Sequence, residues 1–262
     1  MNELILTFLL FVAVGFGAQL VDGALGMAYG VISSTVLLAF GVPPATASAS
    51  VHAAEVFTTA TSAVSHVSHK NVDWKMFVPL AIAGVIGGVV GAFVLTSIDG
   101  NTIKPFVVAY LGIMGLIILW RAWKGPSSKT TSPKLQAPLG LIGGFCDAVG
   151  GGGWGPTVTS ALVGTGSSPR YSIGTVNTAE FFVTVAISAT FVFALVTGNW
   201  KDADGLINHA SAVAGLVVGG VVAAPLAGWV VKIIPVRTFT WIVGAVVLLL
   251  CLYQGLRLFK II

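Results

Sequence analysis

Four acidic residues, Asp22, Glu55, Asp147 and Glu180, lie inside apolar stretches of the chain. The other acids (Glu3, Asp73, Asp99, Asp202 and Asp204) and all 13 basic residues fall in connections or near segment ends. A carboxylate near the centre of a bilayer costs at least about 2.5–3.5 kcal/mol. Keeping four of them implies a wet or hydrogen-bonded site, or bound protons. The structural alternative is a carboxyl that hydrogen-bonds an unwound backbone. Glu55 also belongs to a row: Ser48, His52, Glu55, Thr59, Ser62 and His66 recur at spacings of four, three, four, three and four. That is one polar stripe on an otherwise apolar helix. Such a face looks at a cavity or at another polar helix face. The plain alternative is interhelical hydrogen bonding at about 0.6 kcal/mol per contact.

The elements that must hold these groups follow from composition. Of 262 residues, 56% are hydrophobic and 8% charged, and mean hydropathy is +0.96. A soluble domain carries roughly 25% charged residues, so a water-soluble globule, a disordered chain and a coiled coil are excluded. A spanning helix needs about 20 apolar residues, which leaves room for about eight. The expected fold is an all-α polytopic membrane protein. The net charge of +4 is a matter of orientation and lipid contact, not of nucleic acid. The N-terminal MNELILTFLLFVAVGFGAQLVDG has no basic n-region and reads as a retained membrane segment. Cys146 and Cys251, both in apolar runs, suggest neither a disulfide framework nor a metal site.

A shift of 125 residues lays the chain on itself. Asp22 falls on Asp147, Gly26 on Gly151, Gly30 on Gly155, His52 on Asn177, Glu55 on Glu180 and Thr59 on Thr184. We expect two homologous halves, 1–123 and 137–262, joined by a basic cytoplasmic linker, 124–136. Each half opens with a glycine-broken stretch, DGALGMAYG from Asp22 and DAVGGGGWGP from Asp147. Glycine costs a helix about 1 kcal/mol relative to Ala, and paired breaks at matching positions point to the binding site of a secondary transporter. Isolated glycines such as Gly84, Gly88 and Gly91 read as packing residues instead. In the second half the stripe narrows to Asn177, Glu180 and Thr184, with Ile187 and Phe191 in place of Ser62 and His66. A polar path should therefore continue further at the His66 end.

If each broken stretch crosses the membrane, there are eight spans, with linker and termini on one side. If each is a re-entrant hairpin, each half makes three crossings and the halves are inverted. Either way nine of the 13 basic residues lie on the linker side, so the positive-inside rule does not decide. Eight spans is the expectation carried forward.

Enzyme signatures are missing. No GK[ST] follows Gly150–Gly155, no strand precedes it, and no HExxH or third ligand accompanies His52 and Glu55. No cofactor, metal or ATP-binding domain is expected, so transport would be gradient-driven or passive. The acids suit a cation or proton. Helix N-termini opened by the breaks suit an anion, and both hold if the carboxyls are protonated when an anion binds.

The half-motifs GFGAQLVDGALGMAYG with VPPATASASVHAAE, and GGFCDAVGGGGWGP with SSPRYSIGTVNTAE, resemble the TauE/SafE sulfite exporter family, the sulfonate uptake permease group. The resemblance covers nearly the whole chain. It implies a multi-pass transporter of a bacterial or archaeal cytoplasmic membrane, carrying sulfite, sulfoacetate or another organosulfur anion. It places function on Asp22, Gly26, Gly30, Glu55, Asp147, Gly151, Gly155 and Glu180. His52, Thr59, Gly152 and Asn177 complete the candidate transport site. Small anions, protons and membrane lipid are the expected partners. A cation/proton exchanger is the alternative.

Overall fold

The computed structural model describes residues 2–25, 27–124, 135–165, 167–201, 210–233 and 236–260. Gly26 and the linker positions 125–134 lie outside the described residues. The described chain is all helical: α1 Asn2–Leu25, α2 Tyr29–Ala39, α3 Pro44–Ser68, α4 Trp74–Ser97, α5 Gly100–Lys124 and α6 Gln136–Gly150. A π-helical turn, Gly155–Thr159, runs into the short α7, Ser160–Gly164. Then come α8 Pro169–Val196, α9 Ala210–Ile233 and α10 Val236–Leu258. Among the described residues, five segments are long and apolar enough to cross a membrane: Leu4–Gly23, Trp74–Ser97, Gly100–Lys124, Arg170–Val196 and Thr240–Leu258. The chain is a multi-pass membrane protein.

Local sequence sets the helix starts. Pro44 and Pro169 occupy the first turns of α3 and α8, where a missing N–H costs nothing. Asp73 accepts from the amides of Lys75 and Met76, and Asp99 from those of Asn101 and Thr102. These two acids are N-caps.

Glycine lets two helix pairs approach closely. Gly15, Gly215 and Gly219 put α1 against α9, and a β-carbon at Gly215 would stand 2.6 Å from the Phe8 carbonyl. Gly84, Gly87, Gly91, Gly140 and Gly144 do the same for α4 and α6, where Gly91 faces the Phe145 carbonyl at 2.6 Å on the same measure. The packing role expected for Gly84, Gly88 and Gly91 is what the structure shows, with Gly88 on Ile187. This is close packing by small residues, as expected where lipid gives helices no hydrophobic drive to associate.

The partners fix helix directions. Phe8 lies by Gly215 and Phe16 by Gly219, so α1 and α9 run parallel. Leu80 lies by Gly140 and Phe145 by Gly91, so α4 and α6 also run parallel. By contrast Gly112 meets Cys251 and Leu119 meets Gly244, so α5 and α10 are antiparallel. Asn177 reaches His66 while His52 faces Phe191, so α3 and α8 are antiparallel too. One end of the bundle joins Asn71 to Arg170 and Ala122 to Arg237. The other joins Thr96 to Lys201 and Thr35 to Gln254.

These contacts show what the broken stretches do. α1 leaves the end that holds Lys201, and α2 returns toward it, since its Thr35 carbonyl meets Gln254 of α10. α6 leaves the opposite end, and Ser160, at the start of α7, comes back to Arg121 near the end of α5. Each broken stretch therefore turns back on itself.

The close approach gives a stability test. Gly219→Val would drive a side chain into the α1 backbone at Val12 and Phe16. It should cost about 1–3 kcal/mol and lower the midpoint of thermal unfolding in detergent. Gly17→Ala, with nothing within 4 Å of the added carbon, should leave the midpoint unchanged. Equal midpoints for both variants would refute glycine packing between α1 and α9.

Candidate functional site

Both breaks are capped the same way. The Tyr29 amide at the start of α2 donates to Asp22 Oδ1 at 3.2 Å, and the Trp154 amide before the π-turn donates to Asp147 Oδ1 at 3.0 Å. In each case the carboxylate sits seven residues before the amide it satisfies. The structural role foreseen for these two acids is realised, since an anionic side chain at a helix N-terminus satisfies a free donor and suits the helix dipole.

The two tips meet inside the bundle. A β-carbon at Gly30 would stand 2.6 Å from Gly152 Cα, 2.9 Å from the Gly151 carbonyl and 2.9 Å from Glu55 Oε1. Gly151 and Gly152 adopt φ of 64° and 153°, a region that favours glycine. Their carbonyls do not stay free. Ser34 of α2 donates to Gly151 O, and Tyr110 of α5 donates to Gly152 O at 3.2 Å. Ser48 of α3 donates to Ala148 O at 2.6 Å, and the Gly152 amide closes on Asp147 O at 3.1 Å. Gly155 opens the π-turn.

α3 delivers the stripe to this meeting point. His52 Nδ1 lies 2.7 Å from its own-helix carbonyl Ser48 O, and Nε2 lies 3.3 Å from Asp147 Oδ2. Nδ1 must carry a proton to bond a carbonyl, so Nε2 and Asp147 share whatever further proton the pair holds. Glu55 is 3% exposed, and its Oε2 is buried without a partner. Glu180 is buried on α8. Thr59 spends its hydroxyl on the Glu55 carbonyl at 2.5 Å. Asn177 faces Ser62 and His66.

His52, Glu55 and Asp147 offer ligand atoms all within 4.8 Å of one another, a donor set that could hold a cation. Sequence reasoning found no third ligand beside His52 and Glu55, because Asp147 arrives from 95 residues away. It also passed over Ser34 and Tyr110, hydroxyls on apolar helices with no periodic signal. Arg121, near the end of α5, carried no signal of its own in the sequence. Its guanidinium lies against Ser160 at 3.2 Å and Met27 at 3.2 Å, close to the hairpins.

With this geometry in place, comparison with known proteins is direct. The sequence model of the sulfite exporter TauE/SafE family matches residues 11–254. The chain belongs to the TauE/SafE family. A "Probable membrane transporter protein YtnM" of Bacillus subtilis (strain 168) is 43% identical over 248 residues, which cover 92% of this chain and 80% of that one. No solved structure matches. As a TauE/SafE protein the chain is a membrane transporter.

The cap role of Asp147 can be separated from its charge. Asn at 147 can still accept from the Trp154 amide and can donate to His52 Nε2, whereas Ala leaves both groups unsatisfied. Asp147→Ala should lose about 2–4 kcal/mol, read as a lower unfolding midpoint, while Asp147→Asn stays within about 1 kcal/mol of the parent. Equal loss in both variants would show that the charge, not the hydrogen-bond pattern, holds the second break.

Proposed function

We propose that this TauE/SafE protein is a secondary carrier of a small sulfur-containing oxyanion, such as sulfite or an organosulfonate, in the cytoplasmic membrane. The observation that carries the reading is the meeting of two interrupted segments, Gly30 against Gly152, inside the bundle. Unwound backbone at membrane depth is tolerated where protein or a polar cavity satisfies it, and carriers place substrate at such paired breaks. Asp22 and Asp147 are taken up as caps, and Asp147 also faces His52. Glu55 and Glu180 are the acids left to change charge. Protonated, each can donate a hydrogen bond to an oxyanion; ionised, each repels it. That is the basis for proton coupling. Export needs no such help, since an anion leaving a negative interior gains about 2.3 kcal/mol per charge per 100 mV.

The reading includes a topology. The halves 1–123 and 137–262 act as inverted repeats, each a re-entrant hairpin followed by three crossings. Antiparallel packing of α3 with α8 and of α5 with α10 supports an axis in the membrane plane. Nine of the 13 basic residues then share the end that carries Arg170 and the linker, which the positive-inside rule assigns to the cytoplasm. The alternative, cation/proton exchange, is favoured only by the His52, Glu55 and Asp147 donor set.

Two measurements test this. In purified protein, sulfite or sulfoacetate should stabilise the fold by RT ln(1 + [L]/Kd), about 2.7 kcal/mol at a hundredfold excess over Kd, read as a higher unfolding midpoint. Sodium and calcium should not. Stabilisation by the cations alone would favour exchange. For topology, Lys124→Cys and His69→Cys should react with an impermeant thiol reagent from one side of the membrane, and Asn101→Cys and Lys260→Cys from the other. Labelling of Lys124→Cys and Lys260→Cys from the same side would restore eight crossings and dismiss the hairpins.

A further inference from the structure

A chain of polar groups leads from the linker-side end of the bundle to the interior between α3 and α8. Arg170, exposed near the start of α8, donates from Nε to Asn71 Oδ1 at 2.6 Å and from a terminal nitrogen to the His69 carbonyl at 3.1 Å. Asn71 Nδ2 lies 3.4 Å from His66 Nδ1. Beyond the ring, His66 Nε2 lies 3.4 Å from the Asn177 amide, which is also 3.3 Å from Ser62 Oγ. The other atom of that amide fork is buried and has no partner.

The donor rules fix the direction of this chain. Arginine only donates, so the Asn71 atom it meets is the oxygen and the atom facing His66 is the NH2. His66 Nδ1 must then accept, which makes the ring neutral with its proton on Nε2. An Nε2–H cannot face an NH2. Oxygen and nitrogen of an Asn amide are alike in shape, and the hydrogen-bond network decides which is which. Asn177 Oδ1 therefore faces His66 Nε2–H and Ser62 Oγ–H, and both donors are satisfied. The NH2 takes the buried position that lacks a partner.

We infer that Asn177 presents two unpaired N–H donors to the transport site, where they bind an oxygen of the anionic substrate. Arg170, Asn71 and His66 are positioning residues that hold this amide in the donating direction. The inference rests on the anion-carrier reading and gives that site a neutral donor among its acids. Glu180 follows Asn177 by about one turn on the same face of α8. The matching ring on the other side of the bundle has no such relay: His52 faces Phe191, not a histidine, with ring centroids 6.3 Å apart. The two halves thus differ in how they meet the substrate, with an amide donor in one and a His–carboxylate pair in the other.

The test uses the full chain in detergent, with sulfite and sulfoacetate as probes and nitrogen-15 labelling of its four histidines. His66, assigned by the signal lost in His66→Phe, should show the Nε2–H tautomer. Asn177→Ala and Asn177→Asp should weaken sulfite binding by about tenfold or more, the size of one lost hydrogen bond to a charged group. Asn71→Ala, a change at the bundle end, should weaken binding and redistribute the His66 tautomers. An Nδ1–H ring in the wild type would overturn the relay, and unchanged affinity in Asn177→Ala would overturn the donor. A wild type that binds neither probe overturns the carrier reading itself, a result separate from the tautomer.

Discussion

A free backbone amide or carbonyl has no water to turn to inside a membrane, and both glycine breaks of this chain are built around that constraint. Each break exposes groups that a continuous helix would have paired. Asp22 and Asp147 take the first amides of the returning segments. Ser34, Ser48 and Tyr110 take carbonyls of the second break from three different helices. The second break is thus held by α2, α3 and α5, so the fold of one part depends on the interruption of another. The residues that satisfy the breaks are also those around the proposed transport site.

The helix pairs divide the labour. α1 with α9 and α4 with α6 are seamed by glycines whose β-carbons would collide with the opposite backbone. α3 and α8 meet instead through side chains, polar toward the Arg170 end and aromatic toward Trp200. His66, Ser62 and Asn177 form the first region, and Phe191, packed 5.5 Å from the Trp200 ring, the second. Among the buried polar atoms without partners, Glu55 Oε2, one atom of the Asn177 amide and Thr184 Oγ1 lie on these two helices. Unsatisfied groups of this kind are costly unless something else meets them. On the carrier reading that partner is water, proton or substrate.

Much of this was legible in the sequence, for a physical reason. Charge in an apolar run is expensive, so Asp22, Glu55, Asp147 and Glu180 stood out at once. Helix periodicity aligns Ser48, His52 and Glu55 on one face, and the structure brings that face to the second break. Other features had no one-dimensional signal. Ser34 and Tyr110 are single hydroxyls in apolar helices. The pairing of His52 with Asp147 joins residues 95 apart. The direction of the broken stretches could not be read either, because charge counting gave nine basic residues to the linker side for crossings and hairpins alike. Helix direction emerges from which residues meet across each helix pair.

The structure also sharpens the question of substrate sign. Sequence reasoning set acids, which suit cations, against opened helix N-termini, which suit anions. In the folded chain these are not independent, because Asp22 and Asp147 occupy the very amides that an anion would seek. An oxyanion in this site must therefore find its donors elsewhere: in a protonated glutamate, in hydroxyls, or in an amide turned inward. On the proposed anion-carrier reading, the carboxylate caps then serve specificity as well as stability. Each takes one amide at a helix N-terminus, which leaves a passing anion fewer donors there.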